Sequence, residues 1–158
     1  MVGFKEWLAD EGARLAGEGG RRQRVKDWIG SIRHLYSLIQ GWLAEDDPNG
    51  LLKISQGTIP IDEERLGVYE APTLGISFFD RGVMLLPRNS GVLQGPGFDR
   101  LGLRVHGLVE MAKGGDKFRL YLTSSPDGRG WHIADWKDEF PRPLDKGTFE
   151  DALRELLS

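Results

Sequence analysis

Residues 73–86 read Thr73-Leu74-Gly75-Ile76-Ser77-Phe78-Phe79-Asp80-Arg81-Gly82-Val83-Met84-Leu85-Leu86. Large apolar residues alternate with small or polar ones, Asp-Arg-Gly interrupts them, and an apolar run resumes. A repeat of two sends successive side chains to opposite faces of a strand. The spacing therefore predicts strands over 73–79 and 83–87, joined as a hairpin in which Gly82 supplies the left-handed residue of a three-residue loop. The same alternation recurs downstream. Leu101, Leu103 and Val105 alternate with Gly102, Arg104 and His106, and Phe118, Leu120 and Leu122 alternate with Lys117, Arg119, Tyr121 and Thr123.

Working outward, strand patterns are also expected over 51–55, 58–61, 65–71 and 131–136. Pro60 marks an edge or a bend, and Pro72 an end. The strand starting at 100 is expected to run through a kink at Gly107 to 113. Gly114-Gly115-Asp116 and Pro126-Asp127-Gly128 supply turns. Strands in series with tight turns make an antiparallel meander of about five to seven strands over 51–137. Each strand has one dry face and one wet face. The expected core is Leu74, Ile76, Phe78, Leu101, Leu103, Val105, Phe118, Leu120, Leu122, Trp131 and Ile133.

Helices flank this sheet. Phe4, Trp7, Leu8, Glu11 and Leu15 fall at helical spacing over 2–16, and Gly17-Glu18-Gly19-Gly20 is expected to end that helix. A second helix over 22–45 carries the strongest periodic stripe: Val25, Trp28, Ile29, Ile32, Leu35, Tyr36, Ile39, Trp42 and Leu43. Asp46-Asp47-Pro48-Asn49-Gly50 stops it. Residues 1–46 thus read as a helical hairpin. A last helix over 147–158 begins at Thr148, with Asp151 as its capping partner. The whole is a single α+β domain over 1–158, its helices packed on one sheet face. No βα alternation supports a parallel nucleotide-binding sheet.

Composition excludes several chemistries. The 158 residues contain no cysteine, so there are no disulfides, thiolate zinc sites or cysteine nucleophiles. That usage fits a reducing cytoplasm. The start of the chain has early acids and no long apolar run, so neither a signal peptide nor a membrane span is expected. The net charge of -3 creates no global attraction to nucleic acid or anionic lipid.

Residue 91–97, Gly-Val-Leu-Gln-Gly-Pro-Gly, flanked by Arg88 and Arg100, has the glycine content of a phosphate loop. It lacks the Lys-Ser/Thr ending, and no helix is expected after it, so an inter-strand connection is the better account. His106 and His132 fall on the polar side of their strands with Arg104, Arg119 and Tyr121. That set is a possible anion or ligand face. No acid shares the parity of either histidine, and two histidines make a poor zinc site, so catalysis and a metal are not expected. Ser77, Ser90, Ser124 and Ser125 lack a nucleophile elbow. Asp62-Glu63-Glu64 reads as a solvated loop.

The most unusual local feature is basic. Arg21, Arg22, Arg24, Lys26 and Arg33 stand against Asp27 alone, five cations to one acid. At the N-terminus of a helix they would oppose its dipole, which points to a contact with phosphates or an acidic protein unless Asp10, Glu11 and Glu18 neutralise them. Trp28 and Trp42 exceed what one sheet face needs and are candidate interface anchors. The function expected is a non-catalytic interaction or accessory module of a cytoplasmic assembly. It would bind another protein and need no cofactor. The alternatives are nucleic-acid binding at the basic segment, and a small-ligand or hydrolase site on the His106/His132 face.

Overall fold

The computed structural model describes residues 3–90, 96–135 and 140–158. Helix α1 (Phe4–Asp46) leads into strands β1 (Leu52–Glu63), β2 (Gly67–Phe78) and β3 (Arg81–Asn89). A single helical turn, α2 (Pro96–Arg100), precedes β4 (Arg104–Lys113), β5 (Asp116–Ser125), β6 (Gly128–Asp135) and the short β7 (Arg142–Pro143). Helix α3 (Lys146–Leu157) closes the chain. The strands form one antiparallel sheet in chain order, β1 to β7. This is the expected α+β meander, with the two long helices α1 and α3 on one side.

The helical hairpin is not present. One helix of 43 residues runs through Gly17-Glu18-Gly19-Gly20. Glycine costs a helix up to ~1 kcal/mol per residue but does not forbid it. Arg14 pairs with Glu11 and Glu18 across this stretch, one turn to each side. Only the second half of α1 packs on the sheet, through Trp28, Ile32, Leu35, Tyr36, Ile39 and Leu43. Once that half is fixed, propagation toward the N-terminus needs no new nucleus.

Two proposed strand pairs are in fact continuous. β1 passes through Pro60, which an edge strand tolerates, and β2 passes through Pro72. The β2·β3 ladder ends at Leu74↔Leu85, so at Pro72 the strand is paired with β1 alone. The buried Tyr36 hydroxyl donates to the Pro72 carbonyl at 2.9 Å and lies 3.4 Å from the Leu85 carbonyl. Burial raises the Tyr36 pKa, keeping the phenol a donor. The β2–β3 turn also differs from expectation. Phe78 pairs with Arg81, leaving a two-residue turn, and the left-handed residue is Phe79 at φ 57, not Gly82.

The sheet is buried on both faces at one end. The larger core lies under α1 and α3 and includes Leu74, Ile76, Met111, Phe118, Leu120, Leu122, Ile133 and Phe149. A second cluster lies on the opposite face, where Phe98 from α2 covers Leu103, Val105, Leu108, Tyr121 and Ala134. A β-bulge in β4 falls between Val105 and Leu108, both of which belong to the second cluster. Val105 pairs with Thr123, but Gly107 pairs with Leu122, so one residue is extra and the parity of β4 reverses. Leu103 and Val105 are therefore buried on the face opposite to the one expected. Leu101 is not core at all, at 53% exposure, because residues 100–102 form the end of α2 and a turn. Phe78 and Trp131 are half-buried.

The caps also settle differently. Asp145, three residues before Thr148, is the N-cap of α3. Its carboxylate accepts from Thr148 N at 2.8 Å, and Thr148 Oγ1 accepts from Asp145 N at 2.9 Å. Lys146 then reaches Glu45 at 2.8 Å and Asp46 at 3.1 Å, compensating the acidic C-terminus of α1. Asp47 accepts from the backbone of Leu51 and Leu52.

The bulge also seats the helix. Gly107 lies beneath the Trp28 ring so closely that a Cβ there would overlap it. Trp28 stacks on Trp131, centroids 6.3 Å apart. Gly107→Ala is expected to cost about 1–3 kcal/mol in urea unfolding by forcing the indole off the sheet. Combined with Trp28→Leu, the two losses should be less than additive. Full additivity would mean that Gly107 is not there to admit Trp28.

Candidate functional site

The expected histidine face is divided by the bulge. His132 stands opposite Tyr121 on β5, on the face covered by Phe98. Its Nδ1 is 2.7 Å from Thr123 Oγ1, which also donates to the Gly130 carbonyl at 3.2 Å. Tyr121 is buried edge-on against Phe98 at 4.7 Å, so this part of the face is dry. Arg119 remains exposed there. His106, in contrast, borders a pocket shared with Trp28 and Leu122, beneath α1. Its Nε2 is 2.6 Å from Ser124 Oγ. Arg104, opposite Ser124, and Arg129, also opposite Ser124 from β6, stand beside it. Sequence parity therefore grouped His106 with His132 wrongly: an extra residue turned one of them over.

Burial lowers the pKa of both imidazoles, and Arg129 and Arg104 lower that of His106 further. The Ser124–His106 contact has the spacing of a nucleophile and base. No hydrogen-bonded acid orients the ring among the described residues, and a lowered pKa weakens the base. No group of three or more metal-ligating side chains occurs among the described residues.

The basic segment lies in the middle of α1, not at a helix N-terminus, so it does not oppose the dipole. Arg21, Arg22, Arg24 and Lys26 are exposed where the helix leaves the sheet. The expected neutralising acids are engaged elsewhere or absent from the contacts: Glu11 and Glu18 pair with Arg14. Arg33 is exposed on another side of the helix, beside Tyr36, Ser37 and Gln40. Trp28 is core, at 4% exposure, and is not an interface anchor. Trp42 is half-buried against Phe149 and borders a cleft.

The feature that sequence reasoning missed is the free half of α1. Residues 4–24 carry no buried side chain. Phe4, Trp7 and Leu15 are 74%, 50% and 53% exposed, and Leu8 lies with them. The helical stripe is legible in the sequence, but the expected hairpin over 1–46 would have folded it back along the second helix. The segment has no side-chain N-cap at Gly3. Gly12, Gly17, Gly19 and Gly20 face open space.

Of the loop 91–97, residues 91–95 lie outside the described residues, as does Trp136. A helix does follow the loop, contrary to expectation, but α2 is one turn whose Phe98 serves the second core. The acid trio is not wholly solvated either. The Glu63 carboxylate is half-buried, accepts from Ser90 N at 2.8 Å and Ser90 Oγ at 3.0 Å, and is hydrogen-bonded by Tyr69. It ties the end of β3 to β1. No helix among the described residues is long and apolar enough to cross a membrane. The chain matches no family model, no curated protein and no solved structure.

The histidine shifts have a stability consequence. Their folded pKa values lie below the ordinary value near 6.5. As pH falls through that value, the unfolded chain takes up protons before the folded one. Stability should therefore be full above about pH 7 and decline toward pH 5. Melting temperatures from pH 8 to pH 5 should fall less steeply for the His106→Gln/His132→Asn double variant than for wild type. Parallel curves would contradict the lowered values.

Proposed function

We propose that the protein is a non-catalytic interaction module of a cytoplasmic assembly, and that the free half of α1 is its docking element for another protein. The observation that carries this reading is the exposed stripe Phe4, Trp7, Leu8 and Leu15 on a helix segment that buries no side chain. At ~1.5 Å per residue the segment reaches about 30 Å beyond the sheet. Four glycines make it a poor helix by propensity, and isolated helices of this length are marginal in water. A groove that buries the apolar stripe would supply the missing stabilisation, as amphipathic helices do in helix-in-groove recognition. Arg21, Arg22, Arg24 and Lys26 stand at the base of the segment and would steer an acidic partner. The lack of cysteine is consistent with the cytoplasm.

Nucleic-acid binding is the second reading, favoured by the absence of any ion pair to these four cations among the described residues. The Arg21→Glu/Arg22→Glu/Arg24→Glu variant separates the two. It should melt within about 1 °C of wild type, since exposed substitutions away from helix ends are usually within ~0.5 kcal/mol. Under the first reading it slows partner association. Under the second it abolishes binding to generic RNA and DNA, and the wild-type affinity falls steeply with salt.

A Leu8→Glu/Leu15→Glu variant is expected to keep the wild-type melting temperature and lose the partner. Photo-crosslinking from position 8 or 15 should trap one protein in cells, and crosslinking from exposed Val68 on β2 should not. A variant that melts early, or equal crosslinking from all three positions, would defeat the docking role of α1.

A further inference from the structure

Two adjoining cavities, with Asp27, Ser31, Leu122 and Arg129 common to their walls, lie between α1 and the β4–β6 end of the sheet. The narrower, of about 180 Å³, is bordered by Arg24, Asp27, Ser90, His106 and Arg129. The wider, of about 700 Å³, continues from Asp27 and Arg129 past Lys26 to Trp131 and Trp42. That volume is in the range of small-molecule sites. The two ends differ in chemistry. Arg24 and His106 border the narrow end, Trp131 and Trp42 border the wide end with Lys26, and Arg129 borders both.

The narrow end brings two guanidinium groups and an imidazole together. Arg24 comes from α1, Arg129 from β6 and His106 from β4, with Arg104 two residues before it at the start of the same strand. No ion pair engages Arg24, Arg104 or Arg129 among the described residues. Among the described residues Asp27 is the only carboxylate bordering the two cavities, and it is hydrogen-bonded to Gln23 at 2.8 Å. Ser90 is positioned at the rim by Glu63. Guanidinium groups from different elements that border one cavity and are held by no ion pair among the described residues present forked donors to a multiply charged anion. A phosphate monoester has the charge and the several oxygens to engage more than one of them. A flat ring attached to it would fall toward Trp131 and Trp42, where stacking and apolar burial are available.

We propose that this cleft binds an aromatic phosphate monoester, the class that includes nucleoside monophosphates, with the phosphate held by Arg24, Arg129 and His106 and the ring by Trp131 and Trp42. The site is separate from the docking stripe of α1, so either stands without the other.

Isothermal titration of the full chain tests it, with phenyl phosphate and adenosine 5′-monophosphate as probes and inorganic phosphate, phenol and adenosine as controls. At least one probe should bind saturably, and each half alone should bind at least tenfold more weakly. Arg129→Gln and Trp42→Leu should each weaken the probe at least tenfold. Arg129 is exposed, so Arg129→Gln should leave the melting temperature unchanged and keep the result interpretable if Trp42→Leu disturbs packing against Phe149. Ring resonances of His106, and not those of His132, should shift on binding. The proposal is overturned if neither probe binds at millimolar concentration, if Arg129→Gln has no effect, or if inorganic phosphate binds as tightly as the probes. It is also overturned if only an RNA oligonucleotide binds and that binding requires Arg21 and Arg22, which would make the cations a nucleic-acid surface.

Discussion

The Trp28 indole resting on the bare backbone of Gly107 is the contact on which the arrangement of helix and sheet depends. It brings α1 close to the sheet at the one place where β4 is bulged. A bulge bends a strand and turns over the side chains beyond it. Here it sends Val105 to the second core and leaves His106 beneath the helix. The same irregular residue pair thus admits the tryptophan and reassigns a histidine. Farther along α1, the Tyr36 hydroxyl fastens the helix to carbonyls at the point where two proline-bearing strands part.

From that anchored half, α1 extends well past the edge of the sheet. Packing energy is concentrated in its C-terminal half, where Ile32, Leu35 and Ile39 are fully buried. The N-terminal half contributes nothing to the core and leaves an apolar stripe in water. Exposed clusters of Trp, Phe and Leu mark contact surfaces. The cleft between α1 and β6 arises from the same geometry. A straight helix laid across a twisted sheet touches it along part of its length and stands away from it at the sheet's end, where arginines and tryptophans line the gap.

The strands, their antiparallel order and the packed face of α1 were legible because each depends on a local period. Leu120 and Leu122 alternate with Arg119 and Tyr121, and that alternation alone places them. Ile32, Leu35 and Ile39 recur at helical spacing and are buried as that spacing requires. The basic segment was equally plain in the sequence, since charge needs no fold to be counted.

Three things were decided only by tertiary structure. Whether glycines at 17, 19 and 20 break a helix is a question of cooperativity, since a helix already nucleated by packing continues through residues that would never start one. Which face His106 occupies depends on a bulge, and parity carries no information across an inserted residue. The cavity bordered by both Arg24 and Arg129, and the ring contact of Phe98 with Tyr121, involve residues far apart in the chain, brought together only after the sheet has formed. The sequence by itself determined which residues want to be buried and with what period. The tertiary structure determined which of them found a partner, because burial is a property of the neighbours as much as of the side chain.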